Sequence, residues 1–377
     1  MPAPFRVLQV VTVMNRGGLE TMLMNYYRHV DRSKVQFDFM VHRPERGVYD
    51  DEIEELGGKI YRMPPIHPRC FLRYHRELDQ FFTSHREYRV VHSHLDVLST
   101  LVLHAAKGHG VPTRIAHSHN TSFADRGLRK VFKLWSRAHL TAQCTHLFAC
   151  SRAAGVFQYG RARVKSGKVA VINNAIDTRN FAFRQETRDR LRRRMQLENG
   201  PVIGHVGRFT LQKNHKLLLE IFAELLKRRP AAHLLLVGDG ELRPRVEAQA
   251  LQLGIKDQII FTGLRSDVNE LMAAMDLFLL PSLFEGFPVV AIEAQAAGLP
   301  LLCSDSITNE VALTPQVRFL PLSAPASAWA REALDLLKNG ASLRRENSAQ
   351  SVAEQGYDIE DCARRLQNFY LQCCREN

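Results

Sequence analysis

Short apolar segments alternate with helical patterns along the whole chain, and no other sequence feature restricts the fold as strongly. In the first half these segments are residues 7–13, 37–41, 59–62, 90–92, 114–117 and 146–149. A second series comprises residues 202–206, 232–237, 259–262, 277–280, 299–303 and 317–320. Strands that alternate with helices form parallel sheets covered by helices on both faces. The pattern therefore predicts an α/β protein with two similar, doubly wound sheets.

The length of the chain also favours two domains. Its 377 residues exceed a typical single hydrophobic core. Turn-forming residues at 174–180 follow an apolar segment at 169–172, so the boundary is predicted there. We predict a first domain at 1–176, a second at 177–358, and a last helix within 359–377 that packs back on the first domain.

Composition and charge narrow the class of protein and its partners. Hydrophobic residues make up 45% and charged residues 24%, as in ordinary globular proteins. The net charge of +12 favours an anionic partner, such as a nucleotide phosphate or an acidic lipid head group. Nucleic acid is not predicted, because the basic segments lack interleaved aromatic residues and a known binding module.

The seven cysteines and the hydropathy pattern bear on location. The cysteines are odd in number and lack C-x-x-C spacing, so neither a disulfide framework nor a zinc site is predicted. A reducing, cytoplasmic location is the simplest expectation. Neither a signal peptide nor a membrane-spanning run of ~18 apolar residues is recognisable, so any membrane contact is expected to be peripheral.

Two glutamates follow the apolar segment 277–280 near the point where helical spacing begins. Glu285 and Glu293 therefore belong to one strand-to-helix corner, where open parallel sheets bind ligands. The amides of Gly286 and Phe287 suit a phosphate at a helix start. Carboxylates accept hydrogen bonds from sugar hydroxyls. The corner predicts a sugar-nucleotide site.

Three other strand ends carry residues that suit phosphates or nucleotides. Gly207, Arg208 and Lys213 lie between a strand and a helix, and the two cations can neutralise a diphosphate, although two solvated surface cations fit the same pattern. Gly17 and Gly18 open a helix after the first strand, where a plain tight turn is an equal alternative. Small residues at Gly238 and Asp239 and before Leu264 leave room for a base and ribose; ordinary turns explain them equally well.

Four histidines lie at the ends of two strands. They are His92, His94, His117 and His119. Strand alternation places His117 and His119 on one face, and His119 is the better functional candidate because it lies farther toward the carboxyl end. Metal ligation is conceivable, and a structural role for each histidine is an alternative.

Two basic segments have helical spacing. In residues 126–140 an apolar stripe of Leu128, Val131, Phe132 and Trp135 is flanked by Arg126, Lys130, Lys133 and Arg137. A helix packed on its own domain with a solvated basic face is favoured, and a membrane-surface helix is the alternative. The basic run 188–194 is predicted to be a solvated helix face.

Taken together, these motifs resemble retaining glycosyltransferases of family four, which have the GT-B fold of two Rossmann-like domains. The matching motifs are Gly17-Gly18-Leu19-Glu20, Gly207-Arg208 with Lys213-Asn214, Gly238-Asp239-Gly240, Pro281-Ser282, and Glu285 with Glu293. Residues 117–120 and 173–177 resemble the bacterial subgroup that builds exopolysaccharide and capsule. One departure is Asn174-Ala175, where the family usually has Asn-Gly.

The resemblance implies a catalytic cleft between two domains, with a nucleotide-sugar donor held mainly by the second and neither a metal nor a cofactor. Glu285 and His119 would contact the transferred sugar, and Arg208 and Lys213 the diphosphate; these four form the implied catalytic group. Glu293 would bind the ribose diol, and Gly18 would stand beside the phosphate and acceptor. The implied substrate-binding positions are Gly17, Gly18, Asn174, Gly207, Gly238, Asp239, Leu264, Gly286, Phe287, Pro288 and Glu293.

The predicted function is transfer of a hexose or N-acetylhexosamine, with retention, from a nucleotide sugar to a lipid-linked or glycan acceptor. Uridine diphosphate is the favoured nucleotide and the inner membrane surface the favoured place. A GT-B epimerase is one rival and would yield an isomer without an acceptor. A non-catalytic sugar-nucleotide binding protein is the other and would release no diphosphate.

Overall fold

The computed structural model describes residues 3–15, 17–67, 70–121, 128–340, 345 and 347–375. The chain divides into two compact units. The N-terminal unit comprises Met1–Ala175 and Ile359–Asn377, and the C-terminal unit comprises Ile176–Asp358.

The described part of the N-terminal unit contains a seven-stranded sheet whose pairings are all parallel. Its strands are β1 (Phe5–Val11), β2 (Val35–Val41), β3 (Ile60–Arg62), β4 (Val90–Ser93), β5 (Thr113–Ser118), β6 (His146–Ala149) and β7 (Val169–Val171). Their order in space is β3-β2-β1-β4-β5-β6-β7. The intervening helices are α1 (Gly18–His29), α2 (Asp50–Glu55), α3 (Phe71–Ser84), α4 (Ser99–Gly108), α5 (Leu128–Leu140), α6 (Arg152–Tyr159) and α7 (Arg161–Lys165).

The C-terminal unit repeats this plan with six parallel strands among its described residues. They are β8 (Val202–Val206), β9 (His233–Val237), β10 (Ile259–Gly263), β11 (Leu277–Leu280), β12 (Leu301–Ser304) and β13 (Val317–Leu320). Their order is β10-β9-β8-β11-β12-β13. The helices are α8 (Gln185–Arg194), α9 (His215–Leu226), α10 (Arg243–Gln252), α11 (Val268–Ala274), α12 (Val289–Ala296), α13 (Ala326–Gly340) and α14 (Ser348–Val352).

The last helix, α15 (Ile359–Arg375), belongs to the N-terminal unit. Its buried face includes Leu366 and Tyr370, which join the same hydrophobic core as residues of β1, β2 and α1. The Tyr370 ring meets the Phe37 ring edge to face, with 5.8 Å between centroids. Apolar burial on both the sheet and this helix therefore holds the end of the chain on the first sheet.

Strand burial explains why the sequence forms doubly wound sheets. All seven residues of β2 are buried, as are the four of β11, because helices cover both faces of each sheet. The predicted α/β fold class is confirmed. In each sheet the strand order reverses once, between β1 and β4 and between β8 and β11, and ligands bind at such switch points beside the carboxyl ends of the strands.

The helices of the described residues include none that is both long and apolar enough to cross a membrane.

The prediction that the basic run 188–194 is a solvated helix face is wrong for two of its arginines. Arg188 and Arg192 on α8 have side chains only 17% and 11% exposed, and both pair with Asp276. Arg188 also donates to the carbonyl of Met275 at 2.9 Å. Arg188 faces inward because α8 packs on α11, whose last carbonyls lack partners within the helix. Arg192 faces inward to the Asp276 carboxylate and to the carbonyl of Leu197.

The favoured packing of the amphipathic helix is also wrong in part. On α5, Val131 and Trp135 are 62% and 49% exposed, so these two residues of the apolar stripe do not pack on the N-terminal unit, whereas Phe132 is half-buried. The buried face instead contains Ser136, whose carbonyl accepts a hydrogen bond from the Thr100 hydroxyl at 2.8 Å. Arg126 and the side chain of Leu128 lie outside the described residues.

Candidate functional site

Closely packed glycine loops follow three neighbouring strands of the C-terminal unit. The Gly207 N–H donates to the carbonyl of Val237, and the Gly238 N–H donates to the carbonyl of Gly263, both at 2.9 Å. Gly238 has a φ of +133°, and a Cβ there would stand 2.1 Å from the carbonyl oxygen of Gly207. Glycine is required because backbone meets backbone at this edge.

Lys213 and Glu285 meet at the switch point of the C-terminal sheet. The Lys213 Nζ lies 2.7 Å from Glu285 Oε1, and the two side chains are only 15% and 8% exposed. Gln212, which the sequence analysis missed, donates from Nε2 to Glu285 Oε2 at 3.0 Å. Two of the predicted catalytic residues are thus in contact, and a neighbouring amide holds the carboxylate in place.

A left-handed residue produces the turn that presents Lys213. Asn214 has a φ of +53° and separates the 3-10 turn Leu211–Lys213 from α9. Its side-chain amide donates to the carbonyl of Pro281 at 3.1 Å. Asparagine tolerates the left-handed region and can bond to a neighbouring loop, so it ties the loop after β8 to the loop after β11.

Glu293 lies one turn inside α12, which begins just after the second of these loops. Desolvation raises the pKa of Glu293 to about 7, and the nearby charge of Lys213 opposes that rise. The residue before the helix, Pro288, has no N–H and provides no side-chain cap, so first-turn amides can meet a ligand phosphate. Phe287, beside Gly286, stacks on Tyr357 with 5.8 Å between centroids.

The remaining predicted residues of this unit differ in their surroundings. Arg208 is exposed and has no ion pair within the described part of the chain, so its guanidinium is accessible. Asp239 accepts from the Gly240 N–H at 2.7 Å and lies 3.4 Å from the Arg243 guanidinium, which gives it a role in shaping its own loop. Leu264 is 64% exposed beyond β10.

In the N-terminal unit, Gly17 and Gly18 lie at the start of α1, and both are exposed. A Cβ on Gly17 would stand 2.3 Å from Glu20 Oε2, whereas a Cβ on Gly18 would meet nothing within 4 Å. The fold therefore leaves open space at Gly18. Burial raises the pKa of Glu20.

The loop that contains Asn174 is fixed to α1. The Tyr26 hydroxyl donates to the carbonyl of Asn173 at 2.7 Å, and the Asn25 side chain donates to the carbonyl of Ala175 at 3.2 Å. Asn174 itself is buried. Ala175 replaces the usual glycine without strain, because its φ is not positive and its methyl group packs in the core.

The four strand-end histidines form one cluster at the carboxyl ends of β4 and β5. His92 Nε2 lies 3.1 Å from His117 Nδ1, and His94 Nδ1 lies 3.0 Å from His119 Nε2. The rings of His117 and His119 are 4.1 Å apart between centroids, as expected for one face of a strand. The cluster is therefore hydrogen-bonded and tightly packed.

Asp96 positions the end of the cluster, and the sequence analysis missed it. It has a φ of +48°, and its Oδ1 accepts from the His119 backbone N–H at 2.7 Å while Oδ2 accepts from the Asn120 side chain at 2.6 Å. A short acidic side chain in a left-handed turn was the available signal, but the turn itself is not visible in the sequence.

Burial keeps these histidines neutral. Desolvation lowers the pKa values of His92, His94 and His117 well below the usual value for histidine, and it lowers the pKa of His119 to about 3. His119 can therefore accept or donate a hydrogen bond at neutral pH, but it does not supply a positive charge.

Three histidines of the same cluster lie close enough together to be a candidate metal site. Ring nitrogens of His92, His94 and His117 lie within 4.8 Å of one another. Hydrogen bonds to the neighbouring rings, to Tyr370 and to Gln9 occupy both nitrogens of His92 and His94 and Nδ1 of His117. The donor set therefore fits a hydrogen-bonded network better than a metal site.

Comparisons with known proteins agree across both units. The family model described as Glycosyltransferase Family 4 matches residues 16–180, and that described as Glycosyl transferases group 1 matches residues 187–357. The chain is 38% identical to EpsF of Bacillus subtilis (strain 168), which carries the name of a glycosyltransferase, over 97% of this chain and 96% of that protein. It is 28% identical to the Escherichia coli UDP-Gal:alpha-D-GlcNAc-diphosphoundecaprenol alpha-1,3-galactosyltransferase over 58% of each chain.

Solved structures show the same fold. The crystal structure of Anabaena Alr3699/HepE in complex with UDP matches with a TM-score of 0.79 at 17% identity, covering 97% of this chain and 100% of that chain. The same protein in complex with UDP-glucose matches with a TM-score of 0.77 at 18% identity, covering 97% and 99%.

Proposed function

Because the chain belongs to glycosyltransferase family 4 and is a glycosyltransferase of the GT-B fold, we propose that it transfers a hexose or N-acetylhexosamine from a UDP-sugar in polysaccharide synthesis. The acceptor is a lipid-linked sugar or a growing glycan, and the anomeric configuration is retained. Support for the donor comes from relatives whose names or bound ligands include UDP-sugars. The lipid-linked acceptor follows the name of the Escherichia coli relative.

The contact between Lys213 and Glu285 at the switch point carries this proposal. A nucleotide sugar places its diphosphate next to its sugar, and this pair offers a cation for the first and a carboxylate for the second. Arg208 adds a guanidinium that can grip the phosphates in a planar fork. Glu293 and the loops at Gly238, Asp239 and Leu264 are assigned to the ribose and base, and Gly286, Phe287 and Pro288 form the phosphate-facing helix start.

Negative charge grows on the diphosphate as the bond to the sugar breaks. Lys213, Arg208 and the first amides of α12 stabilise that charge, which is the largest electrostatic demand of the reaction. In the proposed retaining reaction the acceptor hydroxyl attacks from the side that the leaving group departs, and a phosphate oxygen takes its proton. Glu285 holds sugar hydroxyls and is not assigned as a covalent nucleophile.

The N-terminal unit is assigned to the acceptor and to one contact with the transferred sugar. His119 is neutral and serves as a hydrogen-bond partner of the sugar, and the open space at Gly18 lets a phosphate or acceptor approach the backbone of α1. Asn174, held beside α1, belongs to the same region.

We also place α5 against an anionic membrane surface on the cytoplasmic side. Its exposed Val131, Leu134 and Trp135 form an apolar surface beside Lys130 and other basic residues. Exposed apolar side chains with flanking cations are typical of interfacial helices. Such a contact would bring the enzyme close to a lipid-linked acceptor in the membrane.

A donor and acceptor screen tests the proposal. Purified protein is incubated with a panel of nucleotide sugars, with and without lipid-linked acceptors, and both released diphosphate and the anomeric configuration of the product are measured. We expect acceptor-dependent release of UDP and a retained configuration. Isomerised donor without an acceptor, or no turnover with any combination, would contradict the proposal.

A further inference from the structure

A single amide connects the histidine cluster to the last helix. Gln9 lies in the middle of β1 and is fully buried. Its Oε1 lies 2.9 Å from His94 Nε2, and its Nε2 donates to the Tyr370 hydroxyl at 3.2 Å. The same hydroxyl lies 2.6 Å from His92 Nδ1. Two arms, one of His94 and His119 and one of Tyr370, His92 and His117, therefore start from one side chain.

We propose that Gln9 is a positioning residue that sets the tautomers of both arms, so that His119 presents Nδ1 as a hydrogen-bond acceptor to a hydroxyl of the transferred sugar. Tyr370 transmits the same control to His92 and His117. The inference rests on the proposed function for the identity of the hydroxyl, but the tautomers themselves are a property of the protein alone.

The first arm follows from donor and acceptor chemistry. An amide oxygen can only accept, so His94 Nε2 carries the proton that it shares with Gln9 Oε1. A neutral imidazole has one N–H, so His94 Nδ1 is an acceptor and His119 Nε2 must be the donor across their 3.0 Å contact. His119 Nδ1 is then unprotonated, and it has no hydrogen bond within the described residues.

The second arm has the opposite polarity. The Tyr370 hydroxyl accepts from Gln9 Nε2, and among its contacts with the described residues His92 Nδ1 is the one acceptor for its proton, so it donates to His92 Nδ1. His92 Nε2 then donates to His117 Nδ1, and the remaining proton of His117 is on Nε2. That nitrogen is buried and has no partner within the described residues. If the Gln9 amide were rotated by 180°, the donors and acceptors of both arms would be exchanged together. His119 Nδ1 and His117 Nε2 therefore always have opposite roles, one as an acceptor and the other as a donor.

Neutrality makes this control effective. Burial lowers the pKa values of all four histidines, so each carries one proton at neutral pH and the position of that proton is the only choice left. A neutral imidazole that points its lone pair at a substrate hydroxyl is pre-organised for the reaction. The other tautomer would place an N–H donor at that position, facing the hydroxyl proton.

The experiment compares tautomers in the ligand-free full chain with ¹⁵N-histidine labelling and long-range ¹H–¹⁵N correlation spectra. Wild type is expected to show one tautomer at each of the four histidines. Gln9→Met keeps the size of the side chain and removes both hydrogen bonds, so His94 and His119 should become mixtures. Tyr370→Phe removes the donor to His92 and should release at least His92 and His117.

Gln36→Met is the matched control. Gln36 is also buried on a strand of the same sheet and accepts from the Tyr27 hydroxyl at 3.0 Å, but it has no histidine partner. It should lose a similar amount of stability with unchanged tautomers. If Gln9→Met fails to fold, the tautomers of His92 and His117 in Tyr370→Phe test the second arm. Single, unchanged tautomers in the folded variants, or nitrogen shifts typical of metal-bound imidazole in wild type, would overturn the proposal.

Kinetics separate this inference from the proposed function. With a working donor and acceptor, Gln9→Met should lower kcat by about tenfold, the equivalent of one lost hydrogen bond in the transition state, and should change the donor KM little. If no donor is used, the proposed function fails while the tautomer result still stands or falls alone. Mixed tautomers with an unchanged kcat would overturn the link to catalysis.

Discussion

At the scale of single residues, Lys213 and Glu285 form an ion pair to which the proposed function assigns donor binding. Both side chains are largely buried, so each charge depends on the other for compensation. Under the proposed function, a donor phosphate would share Lys213 with Glu285. The pair and the neighbouring amide of Gln212 hold the lysine side chain in place at this strand end.

Replacing Lys213 is predicted to lower both activity and stability. Lys213→Met removes the cation that stabilises the leaving diphosphate, so kcat should fall by ~10² or more. It also leaves Glu285 buried without its partner, which should cost up to about 3 kcal/mol in the free energy of unfolding. The double variant Lys213→Met/Glu285→Gln should recover most of the stability but not the activity, as measured by urea denaturation and by released UDP. Equal activity in wild type and Lys213→Met would refute the assignment.

Glu293 is predicted to make donor binding pH-dependent. Its pKa of about 7 means that the carboxylate, the better acceptor for ribose hydroxyls, forms only as the pH rises through neutrality. Affinity for UDP-glucose should increase by about tenfold from about pH 6 to about pH 8, measured by titration calorimetry. The phosphates of UDP-glucose are diesters, so the ligand itself does not titrate in this range, unlike a phosphate monoester.

Glu293→Gln is the control for that titration. It should bind UDP-glucose with an affinity that no longer changes over the same pH range. A wild-type affinity that is flat with pH, or a Glu293→Gln variant that keeps the full pH dependence, would show that another group is responsible.

At the scale of secondary-structure elements, helix–sheet geometry decides which side chains are available. Helix α5 turns Ser136 inward and leaves Leu134 and Trp135 46% and 49% exposed. Helix α8 instead turns two arginines inward: Arg188 donates to the carbonyl of Met275 after α11, and Arg192 pairs with the Asp276 carboxylate. The amphipathic pattern of each helix did not predict which face would be buried. The cations of a basic helix can be solvated, or they can donate hydrogen bonds to uncapped carbonyls of a neighbouring helix.

Replacing the exposed face of α5 is predicted to weaken membrane binding. The double variant Leu134→Ser/Trp135→Ser removes apolar area whose burial contributes about 1.5–3 kcal/mol per large side chain, so binding to anionic vesicles should fall by at least about tenfold. Sedimentation with phosphatidylserine-containing vesicles measures the effect. Leu72→Ser on α3, where Leu72 is 85% exposed, is the matched control. Equal losses in both variants, or no binding by wild type, would argue against this surface.

At the scale of the whole molecule, two units of similar topology carry many buried histidines. Burial lowers the pKa values of His42, His92, His94, His117, His119, His205, His215 and His233. The unfolded chain binds protons near the ordinary histidine value of 6.5, and the folded chain binds them only at lower pH. The stability from these neutral histidines is therefore present above pH 6.5 and is lost as the pH falls.

Acid is accordingly predicted to unfold the protein. For each proton that the unfolded chain binds in excess of the folded chain, the free energy of unfolding falls by about 1.4 kcal/mol per unit decrease in pH. Glu20, Asp96 and Glu293 act in the opposite sense, because burial raises their pKa values. The contribution of Glu293 is present below pH 4.5 and is lost as the pH rises through its pKa of about 7. These are three groups against the eight histidines. Denaturant titrations from about pH 7.5 to about pH 5 should show a steep fall.

His42 provides the check on that interpretation. Its pKa is lowered to about 4, and His42→Gln should reduce the slope of stability against pH by about one proton. Stability that is constant across the range would contradict the predicted burial of these histidines as neutral groups.

The sequence by itself was sufficient for the fold class and the family. Strand and helix periods are local properties, since burial on two faces of a parallel strand favours a continuous apolar run, which β11 shows. The buried strand β2 is less regular, because Gln36 and Asp38 interrupt its apolar residues. The strand-end motifs were also visible, because parallel strands deliver their following loops to one edge of a sheet. The roles assigned to Glu293 and His119 at those edges stay predictions.

Only the tertiary structure decided which side chains meet. The contact between Gln9 and Tyr370 joins residues 361 positions apart, and no local period encodes it. The same applies to Gln212 beside Glu285, to Asp96 behind His119, and to the outward face of α5. Hydrogen-bond polarity and burial depend on the packing of distant elements, so the sequence named the residues of the site while the fold determined their partners, their protonation and their exposure.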